Sequence, residues 1–293
     1  DEGMHVGGGF NALVAARRMG AQAVSLSPIG HGPYSLLIQQ ALQRAEITDA
    51  GPRIDGVDNG FCIAFTDQSG ERTFISTRGA ETKAPASAWA DFTATMRPGD
   101  VLYIDGYLMD HPANRQAAQA ALEALPEGVQ VILDVSPVIG IPQGLPMRDV
   151  IVSMNYREAQ QIINQNAERG LEQGQRCGQA REAGLVASLV ASLLGRPVVV
   201  RAGAAGAYFA RPAASANAAD VTYIPTPRVA AIDTNGAGDA HSGVLAAALA
   251  QAIPLERALL LANCAGALST TLVGPASCPA REQIEAAADA LAD

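Results

Sequence analysis

The chain has 293 residues, of which 48% are hydrophobic and 17% charged, with a formal net charge of −9 and a pI of about 4.9. This composition is globular, and the length suffices for one large domain with a buried core. The acidic balance argues against nucleic acid or an anionic membrane as the main partner, although a local nucleotide site needs no global positive field. No apolar run approaches the ~20 residues of a membrane span.

The cysteines and the single lysine limit the classes of enzyme to which the chain can belong. Cys62, Cys177, Cys264 and Cys278 contain no Cys-x-x-Cys pair, so we expect reduced thiols in a cytoplasmic protein. Lys83 is the only lysine of the sequence and lacks the Gly-Lys-Ser/Thr context of a P-loop. The sequence therefore argues against P-loop enzymes, protein kinases and Schiff-base enzymes.

In chain order, short apolar strands alternate with longer helices. The predicted elements are helix Asn11–Met19, strand Ala23–Ser27, helices Leu36–Ala45 and Ala86–Met96, strand Val101–Ile104, helix Ala113–Leu125, strands Val129–Leu133 and Val150–Ser153, helices Arg157–Ile163 and Leu185–Leu194, strand Val198–Arg201, and helices Ala240–Gln251, Leu255–Thr271 and Arg281–Leu291. Strands that are apolar throughout suit a parallel sheet covered on both faces. Repeated strand–helix units therefore predict a doubly wound, mainly parallel α/β fold.

One segment departs from this alternation of strands and helices. Phe61–Phe65 and Arg72–Ile75 alternate with period two, and turn residues lie between them at Asp67–Gly70. We predict a β-hairpin that acts as a small lid around residues 55–80 of a single domain covering residues 1–293. A plain surface hairpin is the alternative. The polar, glycine-containing segment Gln165–Gly184 is interpreted as a loop or weak helix.

The strongest candidate site is the string Ile232–His241, whose small residues directly precede an apolar helix. Backbone amides at a helix start lack intrahelical partners and, together with the helix dipole, form an anion site. Gly236 and Gly238 permit the turn and the close approach of a phosphate. Asp239, in the first helical turn, is placed to accept the proton of an attacking hydroxyl. An ordinary glycine-rich turn is the alternative.

This string resembles the C-terminal pattern Asp-Thr-x-Gly-Ala-Gly-Asp of the PfkB carbohydrate kinase family, the ribokinase-like sugar kinases. The resemblance implies that the backbone of Gly236, Ala237 and Gly238 forms an anion hole and that Asp239 is the catalytic base. It also implies ATP and Mg²⁺ as cofactors, and a monovalent cation, K⁺, near Asp233.

The N-terminal string Val6–Ala12 agrees with the resemblance, because the family has a Gly-Gly motif followed by Asn and a helix. There these residues line the sugar pocket, which places Gly7, Gly8 and Asn11 at the substrate; Asn11 offers both a donor and an acceptor. The same string is also a degenerate dinucleotide fingerprint. Only six residues precede it, and no acidic residue for a ribose follows at the required spacing, so an oxidoreductase is the weaker alternative.

A metal motif lies between these two ends. Asn155 and Glu158 directly follow a strand and match the family's Asn-x-x-Glu, which positions magnesium and its waters. Hard oxygen ligands held through water suit Mg²⁺. A helix capping box is the alternative.

A nucleotide-side motif follows. Val198–Gly206 resembles the family's strand and glycine turn, which places Arg201, Gly203 and Gly206 near the nucleotide. A surface ion pair is the alternative for Arg201. Asn263, in the predicted penultimate helix, matches a family residue near the adenine, with a capped or solvent-facing Asn as the alternative.

The resemblance implies phosphorylation of a hydroxyl of a sugar or sugar acid. Arg72, in the hairpin that resembles a family lid, would reach an acidic group of the substrate. A nucleoside kinase, with Phe10 and Tyr107 as aromatic platform, and a non-catalytic sugar-binding regulator are the alternatives. The sequence leaves open whether the chain is a monomer or a homodimer paired through its hairpins.

One departure concerns the start of the sequence. The family has a first strand and an acidic sugar ligand before the glycine motif, and the given sequence begins after that position. We therefore expect this first strand to be missing and name no acidic sugar ligand. A parallel sheet without that strand would have open ladder hydrogen bonds.

Overall fold

The computed structural model describes residues 4–66, 72–138, 150–167, 179–212 and 220–292. Its helices and strands are α1 (Gly9–Arg18), β1 (Val24–Ser25), α2 (Pro33–Arg44), β2 (Thr48–Asp49), β3 (Cys62–Thr66), β4 (Arg72–Ser76), α3 (Ala86–Thr93), β5 (Val101–Asp105), α4 (Pro112–Glu123), β6 (Gln130–Asp134), β7 (Val150–Asn155), α5 (Tyr156–Ala167), α6 (Gln179–Leu194), β8 (Val198–Arg201), β9 (Ala207–Ala210), β10 (Val221–Ile224), α7 (Ala237–Ala250), α8 (Leu255–Ser269) and α9 (Arg281–Asp289). Short 3-10 turns occur at Ala80–Thr82, Gly106–Asp110 and Gly203–Ala205.

The centre of the fold is a six-stranded sheet in the order β10-β9-β8-β7-β6-β5. Strands β5 to β8 run parallel, whereas β9 and β10 each pair antiparallel with their neighbours. The predicted mainly parallel α/β sheet is confirmed. Strands β9 and β10 were not predicted, because four residues are too few to show a period.

Both faces of the sheet are covered. Along β8, Val199 packs with α1, α7, α8 and α9, whereas Val198 and Val200 pack with α4, α5 and α6 on the other face. All three valines are fully buried. Because burying one such side chain stabilises the fold by about 1.5–3 kcal/mol, both faces of β8 contribute to the core.

Four polar residues end the parallel strands at one edge of the sheet. Asp105 ends β5 beside Asp134 at the end of β6, and Asn155 ends β7 beside Arg201 at the end of β8. Carboxyl ends of parallel strands lie at the same edge, which is where open α/β sheets bind their ligands. The fold therefore gathers these four side chains in one place.

The hairpin is formed by β3 and β4, which pair antiparallel with Ile63 opposite Ile75. Phe61, Ile63, Phe65 and Ile75 are exposed apolar side chains of this segment. The predicted turn residues Asp67–Gly70 lie outside the described part of the chain. Phe61, Ile63 and Phe65 alternate along one strand and share one face, because side chains repeat with period two.

Two carboxylates hold the base of the hairpin. Asp58 accepts hydrogen bonds from the Ser35 hydroxyl at 2.6 Å and from backbone amides that include that of Ser35 at 2.8 Å. Burial alone would raise the pKa of Asp58, but these hydrogen bonds lower it to about 2. Glu81 accepts from the Gly60 amide at 2.8 Å and from the Gly79 amide at 2.6 Å. Both legs of the hairpin are therefore tied to the body.

One predicted strand was wrong in detail. The strand expected at Ala23–Ser27 is the two-residue β1, which pairs with β2 and not with the central sheet. The segment Gln165–Gly184, interpreted as a loop or weak helix, is helical at both ends, since α5 extends to Ala167 and α6 begins at Gln179; residues 168–178 lie outside the described ranges. The buried stripe of α6 is largely alanine, which gives a weak hydrophobic signal.

Within the described ranges, no helix is both long and apolar enough to cross a membrane.

Candidate active site

The glycine-rich turn before α7 shapes the site. Gly236 adopts φ 76°, and a Cβ there would lie 1.9 Å from the carbonyl oxygen of Pro275, so only glycine fits. Helix α7 begins at Ala237, earlier than the predicted Ala240, because the left-handed Gly236 is its N-cap. The Ala237 amide makes a long hydrogen bond of 3.4 Å to the Thr234 carbonyl. The amides that follow belong to the first turn of α7, where backbone N–H groups lack intrahelical partners.

Asp239 and Asn11 meet across the site, although they are far apart in sequence. Asn11 donates from Nδ2 to Asp239 Oδ2 at 2.7 Å. Burial raises the pKa of Asp239; the Asn11 amide and the Arg201 charge oppose this rise, and the Asp134 charge adds to it. The Oδ1 atom of Asn11 is buried and, among the described residues, has no hydrogen-bond partner. The pair thus joins the N-terminal glycine motif to the motif before α7. The Oδ1 atom of Asn11 remains as an acceptor for a ligand hydrogen bond.

Gly7 and Gly8 lie beside this pair at the start of α1. Gly8 is the N-cap of α1 with φ 61°. A Cβ placed on Gly7 or Gly8 would meet no atom within 4 Å, so the backbone here borders open space. This is the side of the site where a substrate can approach the main chain.

Asp105 faces α1 from the end of β5. Its Oδ1 accepts from the Leu108 amide at 3.1 Å, and its Oδ2 lies 3.5 Å from the position of a Cβ on Gly9. Burial raises the pKa of Asp105 to about 6, helped by the charges of Asp134 and Asp239 and opposed by backbone amides. A second carboxylate therefore lies beside the start of α1, close enough to Asp239 for that charge to act on it.

Arg201 binds a buried polar network. Its Nη1 donates to Asp134 Oδ2 at 2.9 Å, to the hydroxyls of Ser153 and Ser242 at 3.1 Å each, and to the Gly238 carbonyl at 3.4 Å. Burial opposes the charge of Arg201, but the Asp134 carboxylate outweighs it and raises the pKa of the guanidinium. The alternative for Arg201 was a surface ion pair. Arg201 does form an ion pair, with Asp134, but this pair is largely buried and does not lie on the surface.

Asn155 and Glu158 form a reciprocal capping box at the start of α5. The Asn155 amide donates to Glu158 Oε2 at 2.7 Å, and the Glu158 amide donates to Asn155 Oδ1 at 2.9 Å. The capping alternative is therefore present in the structure. The same geometry also fixes the direction of both side chains at the sheet edge beside Arg201, whose pKa the Glu158 charge helps to raise.

The expected nucleotide side lies at the turn between β8 and β9 and in α8. Gly203 and Gly206 have φ 58° and 87°, and a Cβ on Gly206 would lie 2.5 Å from the Ile224 carbonyl oxygen. Asn263 is buried and donates from Nδ2 to the carbonyls of Ile224 and Pro225 at 3.0 Å each. Asn263 is therefore not solvent-facing; it ties α8 to the end of β10.

His241 lies in α7, two residues after Asp239. The side chain is buried, and burial with the Arg201 charge lowers its pKa to about 3, although Asn263 opposes the shift. Neither ring nitrogen has a hydrogen-bond partner within the described ranges. At neutral pH His241 is therefore uncharged and adds no positive charge near Asp239.

The last two predicted site residues stand apart. Asp233 accepts from the amides of Asn235 at 2.9 Å and Gly274 at 3.0 Å, so it clamps the loop before α7 to the loop after α8. Arg72 has its backbone in β4, but its side chain lies outside what the structure describes. Among the other predicted residues, hydrogen bonds join Asn11 to Asp239 and Arg201 to Gly238, and Arg201 lies beside Asn155 at the ends of β7 and β8.

The sequence analysis missed two carboxylates of this edge, Asp105 and Asp134. Each is the first charged residue after a run of apolar strand residues, Val101–Ile104 and Val129–Leu133. An acid that ends a buried parallel strand lies at the ligand-binding edge, so the signal was present in the pattern.

The chain matches the description "pfkB family carbohydrate kinase" over residues 3–282. Among curated proteins it is 30% identical over 290 residues to the "uncharacterized sugar kinase YegV" of Escherichia coli (strain K12), covering 97% of this chain and 83% of the relative.

Solved structures share the fold. A fructokinase from Xylella fastidiosa with bound ATP aligns with a TM-score of 0.76 at 17% identity, over 98% of this chain and 91% of its own. A fructokinase from Vibrio cholerae O395 with fructose, ADP and calcium ion aligns with a TM-score of 0.72 at 23% identity, over 96% and 90% of the chains. A ribokinase from Thermotoga maritima aligns with a TM-score of 0.74 at 22% identity, over 95% and 85%. The fold is therefore ribokinase-like.

Proposed function

The chain belongs to the pfkB family of carbohydrate kinases, and from this premise we propose that it transfers the γ-phosphoryl group of ATP to a hydroxyl of a small sugar or sugar acid. The observation that carries the proposal is the position of Asp239. It lies in the first turn of α7, directly after the glycine turn, and binds Asn11 at 2.7 Å. One carboxylate thus adjoins both a helix N-terminus suited to phosphate and a side chain suited to sugar hydroxyls.

Asp239 is the proposed general base. Because burial raises its pKa, the carboxylate of Asp239 is a stronger base than that of a solvent-exposed Asp. In the transfer, the substrate oxygen forms a bond to phosphorus, the bond from phosphorus to the ADP oxygen breaks, and the hydroxyl proton passes to Asp239. The amides of Gly236, Ala237 and Gly238 stabilise charge on the transferred group.

Asn155 and Glu158 are the residues we propose to hold magnesium through water. Their donor set is hard oxygen, and the capping box orients both side chains, with Oε1 of Glu158 as the oxygen that a metal-bound water would reach. Magnesium would neutralise charge on the phosphates when bound. Arg201, Gly203, Gly206 and Asn263 belong to the proposed nucleotide side, and K⁺ is proposed near Asp233.

The substrate end of the proposal rests on Gly7, Gly8 and Asn11. The open space beside the two glycines lets a sugar approach the main chain, and Asn11 has an unpaired buried oxygen for a hydroxyl. The contact of Arg72 with an acidic substrate group stays a prediction.

A nucleoside kinase is the second candidate function, and one observation favours it. Tyr107 follows Asp105 at the same edge and is 65% exposed, so its ring is available for a base to stack on. A substrate panel that contains both sugars and nucleosides separates the two candidates.

The test is ADP release from ATP and Mg²⁺ in K⁺ buffer, over a panel of pentoses, hexoses, ketoses, sugar acids and nucleosides. We expect turnover on one class, and a loss of about 10²–10⁴-fold in kcat for Asp239→Asn with ATP binding retained. Glu256→Gln is the matched control, because Glu256 is an acid in the first turn of the neighbouring helix α8. Near-normal turnover of Asp239→Asn would remove the assignment of the base.

A further inference from the structure

The first two turns of α7 rest on one buried side chain. Arg201 Nη1 donates to the Gly238 carbonyl at 3.4 Å and to the Ser242 hydroxyl at 3.1 Å, four residues further along the helix. Its Nη2 lies 3.3 Å from the position of a Cβ on Gly238, so the guanidinium packs directly against the backbone of the glycine turn. Asp239 lies between these two contacts in the sequence. Arg201 therefore holds the helix on both sides of the proposed base.

Asp134 completes the same contact from the end of β6. Its carboxylate accepts from Arg201 Nη1 at 2.9 Å and from the Ser242 hydroxyl at 2.7 Å. Ser242 is fully buried, and the side chains of Arg201 and Asp134 are only 14% and 4% exposed. A buried polar network whose members are hydrogen-bonded to one another is rigid. The network therefore fixes the start of α7 against the ends of β6 and β8.

The Nη1 atom of Arg201 is already occupied by the protein. Within 3.4 Å of this nitrogen lie oxygens of Asp134, Ser153, Gly238 and Ser242. These are more acceptors than one guanidinium nitrogen has protons to donate. A phosphate that bound to Nη1 would have to displace one of them. The geometry thus favours a role in holding the turn over direct contact with a phosphate.

The two charges of the buried pair act on Asp239 with opposite signs. Burial has the largest effect and raises the pKa of Asp239, and the Asn11 amide opposes it; the Asp134 charge raises the pKa further, whereas the Arg201 charge lowers it. An arginine alone would hold the helix but would make Asp239 a weaker base. With Asp134 beside it, the arginine holds the helix while its effect on the base is offset.

We propose that Arg201 is a positioning residue that fixes the start of α7, and so aims the Asp239 carboxylate and the amides of the glycine turn, while Asp134 neutralises its charge. This inference rests on the proposed function and deepens it. It places Arg201 on the nucleotide side through the turn that receives the phosphates, and not through a contact of its own with ATP.

The first test compares Arg201→Met with Arg281→Met. Arg281 is the matched control, because it donates to Gln251, the C-cap of α7, at 3.0 Å and so contacts the same helix at its other end. For Arg201→Met we expect kcat to fall about a hundredfold, since a misplacement of about 1 Å costs that much, while the KM for ATP changes less than about threefold. The calorimetric Kd of Mg·ADP should likewise stay within about threefold of wild type. The control should leave all of these values unchanged.

Ser242→Ala is the milder variant, because it keeps both charges of the pair and removes only one attachment of α7 to the network. We expect kcat to fall about fivefold, the equivalent of one ordinary hydrogen bond, with the Kd of Mg·ADP retained. This variant decides the question if circular dichroism shows that Arg201→Met does not fold. Unchanged kcat in Ser242→Ala would overturn the proposal. A rise of about tenfold or more in the Kd of Mg·ADP for Arg201→Met, with kcat retained, would overturn it as well, because Arg201 would then bind the phosphates itself.

The second test is the pH dependence of kcat/KM in Asp134→Asn. The other ionisable groups whose charges interact with Asp239 lie on β5 and in the turn after it: Tyr103, Asp105 and Tyr107. The facing residue of α1, Asn11, is neutral, and His241 on α7 is uncharged. A base acts in its ionised form, so activity is lost as the pH falls through the pKa of Asp239. Because Asp134 raises this pKa, its neutralisation should move the acid limb to lower pH by about one unit.

The same shift can be measured without turnover. The NMR signal of the Asp239 carboxyl carbon, assigned by its absence in Asp239→Asn, should titrate at lower pH in Asp134→Asn than in wild type. A titration that stays in place or moves to higher pH would refute the compensation of Arg201 by Asp134. A wild-type chain without turnover on the substrate panel would refute the kinase mechanism, whereas the NMR titration and the binding of Mg·ADP would still test the role of the pair.

Discussion

The buried pair Arg201–Asp134 allows a quantitative prediction of stability. The side chains are 14% and 4% exposed, and the two charged atoms lie 2.9 Å apart. Replacing Arg201 by Met, an unbranched apolar side chain of similar length, leaves the Asp134 carboxylate buried with Ser242, which donates to it at 2.7 Å. Breaking a buried pair in this way typically costs about 3–5 kcal/mol.

This cost is a large part of the total free energy of unfolding, which is about 5–15 kcal/mol for typical proteins. At roughly 2–4 °C per kcal/mol for chains somewhat shorter than this one, the melting temperature of Arg201→Met should fall by about 10 °C. The assay is urea and thermal unfolding followed by circular dichroism. Arg78→Met is the control, because Arg78 pairs with Asp110 at 3.2 Å with exposures of 70% and 43%, and should cost less than about 1 kcal/mol.

A double variant separates the charge effect from loss of packing. Adding Asp134→Leu to Arg201→Met removes the stranded carboxylate, so the double variant should be more stable than the sum of the two single losses predicts. A loss in Arg201→Met no larger than in the control, or strict additivity in the double variant, would refute the argument. A rise in KM for ATP alone, without loss of stability, would indicate that Arg201 binds a phosphate of ATP and does not stabilise the buried polar network.

Two further predictions concern the hairpin base and the glycine turn. Asp58→Asn should lower stability at pH 7 by about 1 kcal/mol, since Asp58 accepts from the amides of Tyr34 and Ser35 in the first turn of α2, as a capping side chain does. Because the pKa of Asp58 is lowered to about 2, the wild-type advantage should persist above pH 4 and disappear as the pH falls toward 2, in urea unfolding curves taken across that range. Gly236→Ala should cost more than about 2 kcal/mol and most of the activity, since left-handed strain of roughly 1–2 kcal/mol adds to the clash with Pro275. Gly195→Ala, with φ 62° and no atom near the new Cβ, should show the strain alone and keep activity; equal losses in both would contradict the clash argument.

The architecture was largely predictable because its central strands are apolar throughout and its helices are long. The string from Asp233 to Asp239 also located the start of α7 to within a few residues. What failed has a physical cause: α6 buries alanines in place of large apolar residues, and β9 and β10 are short strands.

The sequence indicated several residues of the candidate site individually, but it did not indicate the contacts that connect them. No local pattern indicates that Arg201 reaches Asp134, 67 positions away, or that Asn11 reaches Asp239, 228 positions away. Those contacts depend on the strand order, which the sequence pattern did not determine. Asp105 was accessible to sequence reasoning, because it is the first charged residue after the apolar strand Val101–Ile104.

The clamped base of the hairpin has a mechanical consequence. Five-residue strands at ~3.4 Å per residue make β3 and β4 an arm about 17 Å long. Because Glu81 accepts hydrogen bonds from the amides of both Gly60 and Gly79, it fixes the distance between the two legs at their base. Any displacement of the arm would therefore carry β3 and β4 together and would not slide one strand past the other.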